Sequence, residues 1–279
     1  MADRKRYSTD LTDAQWPLLA PFMPPPAKRG KKRTVDLREV LNAILYISRT
    51  SCQWRNIPHD FPPKSTVWDY FARFKKDGTW SLINDALRRQ VRVAADRDSE
   101  PRTAAIDSQT VATHHQGQES TVDGAKNVKG RKRHIVVCSM GLLLAVVVTA
   151  ANLHEGVQAP RVLGQLSAQT TQRLEKVYAD SKYHCQACWD WENRPDVSYR
   201  IVVVKREKKE FELLPCRWVV ERTYAWMGWN RRLSKDYERT TSSSEAWCQM
   251  SMIHLMVRRL APSNDVPPFK YRRASQKVA

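Results

Sequence analysis

The first hundred residues carry apolar positions at helical spacing. From Leu37 to Leu45, leucine, valine and isoleucine recur every three or four positions, which predicts an amphipathic helix. Asp36 and Glu39 have the spacing of an N-cap and its reciprocal partner. A second helix is predicted from Ser65, and a third over Ile83–Val91. Together these elements predict a small helical bundle.

The pattern changes after the charged, proline-containing segment Asp96–Arg102, which predicts a domain boundary there. Short runs rich in β-branched residues then predict strands, with a hairpin at Gly141. These runs are TAAIDSQTV, RHIVVCSM, LLLAVVVTA, KVYAD and YRIVVVKR. Helical patterns are predicted at 157–166 and 184–193, from Pro215, and from Ser242, where Ser242 and Glu245 predict a capping box. A mixed sheet with intervening helices predicts the α+β class.

Three regions follow from these patterns. Residues 1–100 are predicted to form a helical domain, residues 101–262 a mixed-sheet domain, and residues 263–279 a basic, flexible tail. The chain lacks a run of ~20 apolar residues that would cross a bilayer, and its amino terminus lacks an apolar secretion signal. The expected location is the cytoplasm.

Positive charge is in large excess. There are 47 Lys and Arg residues against 29 Asp and Glu, a formal net charge of +18, which indicates a polyanionic partner. The basic residues cluster at 28–33, 126–134, 205–209 and 231–235. A charge run is often only a solvated face, but four runs in one chain favour contact with DNA phosphates. The candidates are Lys126, Lys129, Arg131, Lys132, Arg133, Arg231, Arg232 and Lys235.

Two acidic residues follow strand-like runs. Asp107 comes directly after Ala104–Ile106, and Asp180 directly after Val177–Ala179. Either residue alone fits a turn at a strand end, which is a common role for aspartate. The combination of both with the motifs below points instead to a shared site.

Three segments resemble the DDE transposases of bacterial insertion sequences, specifically the insertion-sequence-five group. They are AIDSQTV, ADSKY and RWVVERTYAWMGWNRRLSKDYERT, and the amino-terminal segment CQWRNIPHDFPPKSTVWDYFARFKKDGTW resembles the same group. The likeness runs from about Leu11 to Leu260. It implies that residues 1–100 are a DNA-binding and assembly domain. It also implies that residues 101–262 are a ribonuclease-H-like (retroviral-integrase-like) catalytic domain with a mixed five-stranded sheet flanked by helices. Asp107 is expected on the first strand, Asp180 on or just after the fourth, and Glu221 on a helix.

The resemblance also implies the chemistry. Asp107, Asp180 and Glu221 would hold Mg²⁺, for which Mn²⁺ can substitute, since hard cations bind carboxylate oxygens. Two ions on either side of a phosphodiester activate the attacking oxygen and stabilise the leaving one. The expected activity is cleavage at the ends of the element followed by joining to target DNA. The expected partners are double-stranded DNA, as terminal repeats and target, and a second copy of the chain, in the nucleoid of a bacterial cytoplasm.

The third motif places Arg217 one helical turn before Glu221, where it is expected to contact phosphate; an ordinary ion pair with Glu221 is the alternative. Related transposases carry a tyrosine and a lysine where this chain has Leu214 and Gly228. Arg231 and Arg232 are the candidate substitutes for that lysine. Two nearby tryptophans, Trp226 and Trp229, are either core residues or stack on an unpaired base.

Other functions stay open at this stage. An inactive or repurposed DNA-binding protein would bind without cutting, and a metal-dependent nuclease would cut without joining. His184, Cys185 and Cys188 form an H-C-x-x-C cluster, but a structural zinc site needs a second ligand pair at similar spacing, which the sequence does not supply.

Overall fold

Helices lie at both ends of the described chain, and a mixed sheet lies between them. The structure is a computed structural model that describes residues 4–26, 30, 32–113, 117–204 and 217–263, and for Arg217 its backbone only. Predictions for residues 28, 29 and 31, for the 205–209 cluster, for Leu214 and for the tail beyond 263 lie outside the described residues. The helices are α1 (Trp16–Leu19), α2 (Leu37–Thr50), α3 (Lys64–Lys76), α4 (Thr79–Val93), α5 (Glu155–Leu163), α6 (Ala168–Arg173), α7 (Gln186–Glu192), α8 (Arg217–Gly228) and α9 (Thr241–Leu260). The strands are β1 (Thr103–Ala112), β2 (Thr121–Asp123), β3 (Val128–Cys138), β4 (Leu143–Ala150), β5 (Lys176–Ala179) and β6 (Arg200–Val203).

The helices predicted for the first hundred residues are present as α2, α3 and α4. The side chain of Asp36 caps α2 by accepting a hydrogen bond from the N–H of Arg38 at 2.8 Å. The reciprocal half of the predicted capping box is wrong, because Glu39 turns away from the cap. Its carboxylate accepts from Arg4 Nε at 2.7 Å instead. An ion pair reaching across the chain has therefore displaced the local contact.

The second predicted capping box is corrected in a similar way. Thr240, not Ser242, is the N-cap of α9, and its hydroxyl accepts from the N–H of Ser243. Glu245 accepts from the N–H of Val148 at 2.9 Å. That N–H lies on strand β4, so the glutamate joins the last helix to the sheet.

The amino-terminal helices and α9 share one apolar core. Trp247 of α9 is fully buried and stacks on Phe71 of α3 with ring centroids 4.5 Å apart. The side-chain amide of Asn84 on α4 donates to the carbonyl of Leu143 on β4 at 3.0 Å. The boundary predicted at Asp96–Arg102 thus marks a change from helices to sheet rather than a break in packing.

The sheet has the topology expected of a ribonuclease-H-like domain. The five longer strands lie in the order β4-β3-β1-β5-β6, in which β1 is antiparallel to β3 and parallel to β5. Within the described residues the three-residue strand β2 is an addition to the five predicted strands, and it pairs with the start of β3. The predicted α+β class is confirmed. No helix in the described ranges is long and apolar enough to traverse a bilayer.

The predicted hairpin between β3 and β4 turns at Gly141, whose φ is +77°. A Cβ atom here would lie 2.8 Å from the ring of Trp226 and 2.9 Å from Thr223 Oγ1, both on α8. The Thr223 hydroxyl also donates to the carbonyl of Gly141 at 2.8 Å. Glycine is needed at this turn for its backbone conformation and for the close approach of α8 to the sheet.

Candidate functional site

Asp107 lies on β1, and Asp180 directly follows the neighbouring parallel strand β5. Strands β1 and β5 pair in register, with Ala105 opposite Tyr178. Continued by two residues, this register places Asp107 level with Asp180. Level residues of adjacent strands project to the same face of a sheet, so the fold brings these two carboxylates together.

The local setting of the two aspartates differs. Asp180 directly follows β5, as predicted, and its side chain accepts from the N–H of Lys182 at 2.9 Å in a short turn. Asp107 was expected to end its strand, and this is wrong. It lies in the middle of β1, paired with Ile135 of β3, and its carboxylate accepts from the N–H of Ser108 at 2.7 Å. The strand continues because β3 supplies backbone partners as far as Ala112.

Helix α8 is fastened to the sheet beside Asp107. The hydroxyl of Tyr224 lies 3.1 Å from the main-chain oxygen of Asp107 and 2.7 Å from that of Arg133. Burial, and next the charge of Asp107, raise the pKa of Tyr224 well above its ordinary value. The phenol therefore remains a hydrogen-bond donor at neutral pH. Glu221 is on the same helix, one turn before Tyr224, and it is exposed.

The three predicted metal ligands are therefore placed as follows. Asp107 and Asp180 share a face of the sheet, and Glu221 is carried by the helix that is fixed to Asp107. Among the described residues, no three His, Cys, Asp or Glu side chains lie close enough together to hold one ion. Convergence of Glu221 with the two aspartates stays a prediction. The side chain of Arg217 lies outside the described residues, although its backbone opens α8.

A buried acid and a lysine, neither of which the sequence patterns singled out, lie beside the aspartate pair. Glu155, the first residue of α5, is buried, and its Oε1 lies 2.9 Å from Lys182 Nζ and 3.5 Å from Lys132 Nζ. Burial alone would raise the pKa of Glu155, but the hydrogen bond from Lys182 and the charge of both lysines lower it to about 2. The hydrogen bond to Glu155, followed by the charges of Glu155, Asp180 and Asp107, raises the pKa of Lys182. A fixed positive charge thus adjoins the aspartates, and its only sequence signal is its place in ADSKY, two residues after Asp180.

Three of the predicted DNA-binding residues are buried in strand β3. The guanidinium of Arg131 has no exposed surface; it lies 3.2 Å from Asp236 Oδ1 and donates to the carbonyls of Gln118, Glu238 and Arg239. Arg133 donates to the carbonyl of Leu233 at 2.7 Å. Lys132 donates to the carbonyl of Leu153 at 2.8 Å. Because these groups are enclosed and bonded within the protein, the predicted phosphate contact at Arg131, Lys132 and Arg133 is corrected to a structural role.

A fourth predicted DNA contact is also enclosed. The guanidinium of Arg232 is ion-paired with Glu238 at 2.5 Å and lies over the ring of Trp247. The predictions that Arg232 contacts phosphate and that it substitutes for the missing lysine are therefore both corrected to a structural role. The remaining candidates are exposed: Lys126, Lys129, Arg231 and Lys235. Arg231 and Lys235 are thus the available cations near the end of α8.

The H-C-x-x-C cluster brings two thiols together without forming a metal centre. Cys185 Sγ and Cys188 Sγ are 3.7 Å apart. Burial raises the pKa of Cys188 to about 12. In the part of the chain that the structure describes, no three His, Cys, Asp or Glu side chains lie together here in a way that could hold a metal ion.

Comparison with known proteins adds two family matches. A family described as putative transposase of IS4/5 family matches residues 11–84, and a family described as transposase DDE domain matches residues 98–256. Similar curated proteins come from Burkholderia cepacia. The putative transposase for insertion sequence element IS402 is 31% identical over 182 residues, which is 61% of this chain and 82% of that protein. The insertion element IS402 uncharacterized 16.2 kDa protein is 30% identical over 115 residues, which is 39% of this chain and 77% of that protein.

Proposed function

Because this chain belongs to the family of transposases with a DDE domain, we propose that it binds the terminal repeats of an insertion sequence, cleaves the DNA at those ends and joins them to a target. Family membership makes it a polynucleotidyl transferase or nuclease that acts on DNA. The observation that carries the proposal is the parallel pairing of β1 with β5, whose register, continued by two residues, places Asp107 of β1 level with Asp180, the residue after β5.

The donor set suits a divalent metal ion. Asp107 and Asp180 offer carboxylate oxygens from one face of the sheet, and Glu221 is a third carboxylate on the helix that Tyr224 holds against β1. Oxygen donors of this kind favour Mg²⁺, with Mn²⁺ as a substitute. When bound, two such ions would lower the barrier by stabilising charge on the attacking and leaving oxygens of the phosphodiester. We assign Asp107, Asp180 and Glu221 as the ligands.

The chain's own cations would position the DNA. Lys182 is held by Glu155 next to the aspartates, where an ammonium can meet a phosphate that approaches the carboxylates. Lys126, Lys129, Arg231 and Lys235 are exposed and would neutralise backbone phosphates away from the site. Arg217, which opens α8 four residues before Glu221, is proposed as a further phosphate contact. The helical region before residue 100 is proposed to contribute to recognition of the ends, and a homodimer or larger assembly to hold two ends at once.

The test is a strand-resolved assay with the element's own flanking DNA ends and Mg²⁺. The wild-type protein should nick the ends and join pre-cut ends to a second duplex. Asp107→Asn keeps the side chain's size but removes its charge, so it should abolish both reactions while DNA affinity is retained. Cutting without joining by the wild type would reassign the protein as a nuclease. Binding without either reaction would make it an inactive DNA-binding protein, and an active Asp107→Asn protein would remove that residue as a ligand.

A further inference from the structure

Two arginines and two tryptophans alternate along the outside of α8 and the end of α9. The guanidinium carbon of Arg222 lies 4.3 Å from the ring centroid of Trp218 and 4.7 Å from that of Trp226. Arg259 of α9 lies 4.4 Å from the centroid of Trp226. Trp218, Arg222, Trp226 and Arg259 are called the Arg–Trp row below. Trp226 is seated against Gly141 of the β3–β4 turn, so the row is anchored on the sheet.

The charges of this row have no carboxylate partner in the described part of the chain. Neither Arg222 nor Arg259 forms an ion pair there, whereas the other ring-stacked arginines each do: Arg4 with Asp10, Arg194 with Asp196 and Arg232 with Glu238. The Nε of Arg222 is buried without a hydrogen-bond partner in the same set of residues. Burial lowers the pKa of both Arg222 and Arg259, and the charge of Arg222 lowers that of Arg259 further. Two like charges are thus held together where an anion would relieve both.

The row lies next to the helix face that carries Glu221. At 3.6 residues per turn, Trp218, Arg222 and Trp226 form a stripe along one side of α8. Trp218 is the member nearest to Glu221 and lies roughly 60° from it around the helix axis. At this helical spacing the exposed residue Ala225 lies between Trp218 and Glu221. Trp218 is 41% exposed and Trp229, just beyond the helix end, is 60% exposed. Trp218 and Arg259 are exposed and Arg222 is partly exposed, so a ligand can reach the row from solvent.

We propose that the Arg–Trp row binds the phosphate backbone of the DNA duplex leading into the carboxylate site, with Arg222 and Arg259 as the phosphate contacts; this rests on the proposed function. Guanidinium groups match phosphate oxygens with paired N–H donors. Stacking between tryptophan rings holds Arg222 in one orientation, which reduces the ordering that binding requires. The net charge of the chain, +18, favours a polyanion as the occupant.

The experiment compares Arg222→Gln and Arg259→Gln with the full-length wild type. A fluorescently labelled duplex carrying one end of the element is titrated at several salt concentrations, with an unrelated duplex in parallel. Each substitution should weaken binding to both duplexes about tenfold, as expected for loss of a charge-assisted hydrogen bond. The slope of log affinity against log salt concentration should become shallower by ~0.9 per lost contact. The ratio of wild-type to variant affinity should therefore fall about 3.5-fold when the salt concentration rises about fourfold.

Arg194→Gln is the matched control. Arg194 is also stacked on a tryptophan, with 4.4 Å from its guanidinium carbon to the Trp191 centroid, but Asp196 already neutralises it. Its substitution should leave affinity and salt slope unchanged. Arg222→Lys keeps the charge without the planar fork, so it should retain the salt slope with intermediate affinity, and it serves if the glutamine variant fails to fold.

Unchanged affinity and salt slope in both glutamine variants would overturn the proposal, as would an equal loss in Arg194→Gln. An altered oligomeric state with unchanged DNA affinity would assign the row to a protein interface. Trp218→Ala is tested as well. If this variant loses affinity only for DNA that contains unpaired nucleotides, the Arg–Trp row stacks on bases and does not bind the duplex backbone. Because the readout is binding, inactivity of the wild type in the cleavage assay would count against the proposed function and leave this measurement standing.

Discussion

The contact between Arg131 and Asp236 yields the most discriminating stability prediction. Arg131→Met removes a guanidinium whose side chain is fully buried and leaves the equally buried carboxylate of Asp236 without its counter-charge. Breaking a buried pair from one side costs about 3–5 kcal/mol. Asp236 would keep hydrogen bonds from Ser244 Oγ at 2.7 and 2.8 Å and from the N–H of Glu238 at 3.0 Å. We therefore expect the free energy of unfolding to fall by the lower end of this range, ~3 kcal/mol. This loss corresponds to a decrease on the order of 10 °C in the thermal unfolding midpoint.

The assay is denaturant unfolding followed by circular dichroism, at low and high salt. Because the pair is enclosed, the loss of stability should hardly depend on salt, and DNA affinity should be unchanged in the protein that remains folded. The double variant Arg131→Met/Asp236→Asn should lose less than the sum of the single variants, since it leaves no charge buried.

Lys129→Met is the control, because Lys129 lies in the same basic cluster of β3 but is exposed. It should change the free energy of unfolding by no more than ~0.5 kcal/mol and weaken DNA binding in a salt-dependent way. If Arg131→Met unfolds at the wild-type midpoint and instead loses salt-dependent DNA affinity, the buried network described above is wrong, and the original prediction of phosphate contact is right.

Three further predictions concern single positions. Gly141→Ala should lower the unfolding midpoint, because its φ is +77° and its Cβ would meet Trp226; an unchanged midpoint would contradict the close approach of α8. Glu155→Gln should destabilise the protein at neutral pH, and the difference from wild type should vanish as pH falls towards about 2: a carboxyl whose folded pKa is depressed stabilises above its unfolded pKa and loses that effect as it protonates. A difference that persists in acid unfolding would show that Glu155 acts by packing and not by its charge on Lys182. Gly228→Lys should fold normally, because a Cβ there meets no atom within 4 Å, and should tighten DNA binding in filter-binding assays; no gain would indicate that Arg231 or Lys235 already occupies that phosphate.

Local sequence patterns predicted the positions of the helices and strands well, but they did not predict which distant groups the polar side chains contact. The spacing of apolar residues located α2 and α4, and β-branched runs located the strands, because these signals depend on which face is buried. Asp180 follows its strand as predicted. Asp107 does not end β1, since the length of that strand depends on hydrogen bonds from β3, about 30 residues further on, which no local pattern records.

The burial of charge was the main failure. A basic run such as that containing Arg131 and Arg133 normally indicates a solvated or DNA-facing surface, and Asp236, which neutralises Arg131, is about a hundred residues away in the sequence. The residues before Ile135 also continue a strand whose later part is wholly apolar, which is the one signal that favoured burial. Glu39 and Glu245 failed as capping partners for the same reason, because Arg4 and the edge of β4 offered them distant partners.

The packing of Trp247 of α9 against the amino-terminal helices affects when the protein can fold during its synthesis. Helices α2 to α4 leave the ribosome first, but their apolar faces close on α9, which begins only at Thr241. At ~5–20 residues per second, synthesis of the intervening sheet domain takes roughly 7–30 s. During that time the early helices lack their final packing partner. Hydrogen bonds from Gln15 to Ala261 and from Arg258 to Ser8 then join the amino-terminal region to the end of α9, so the helical region reaches its native packing only after α9 has been synthesised.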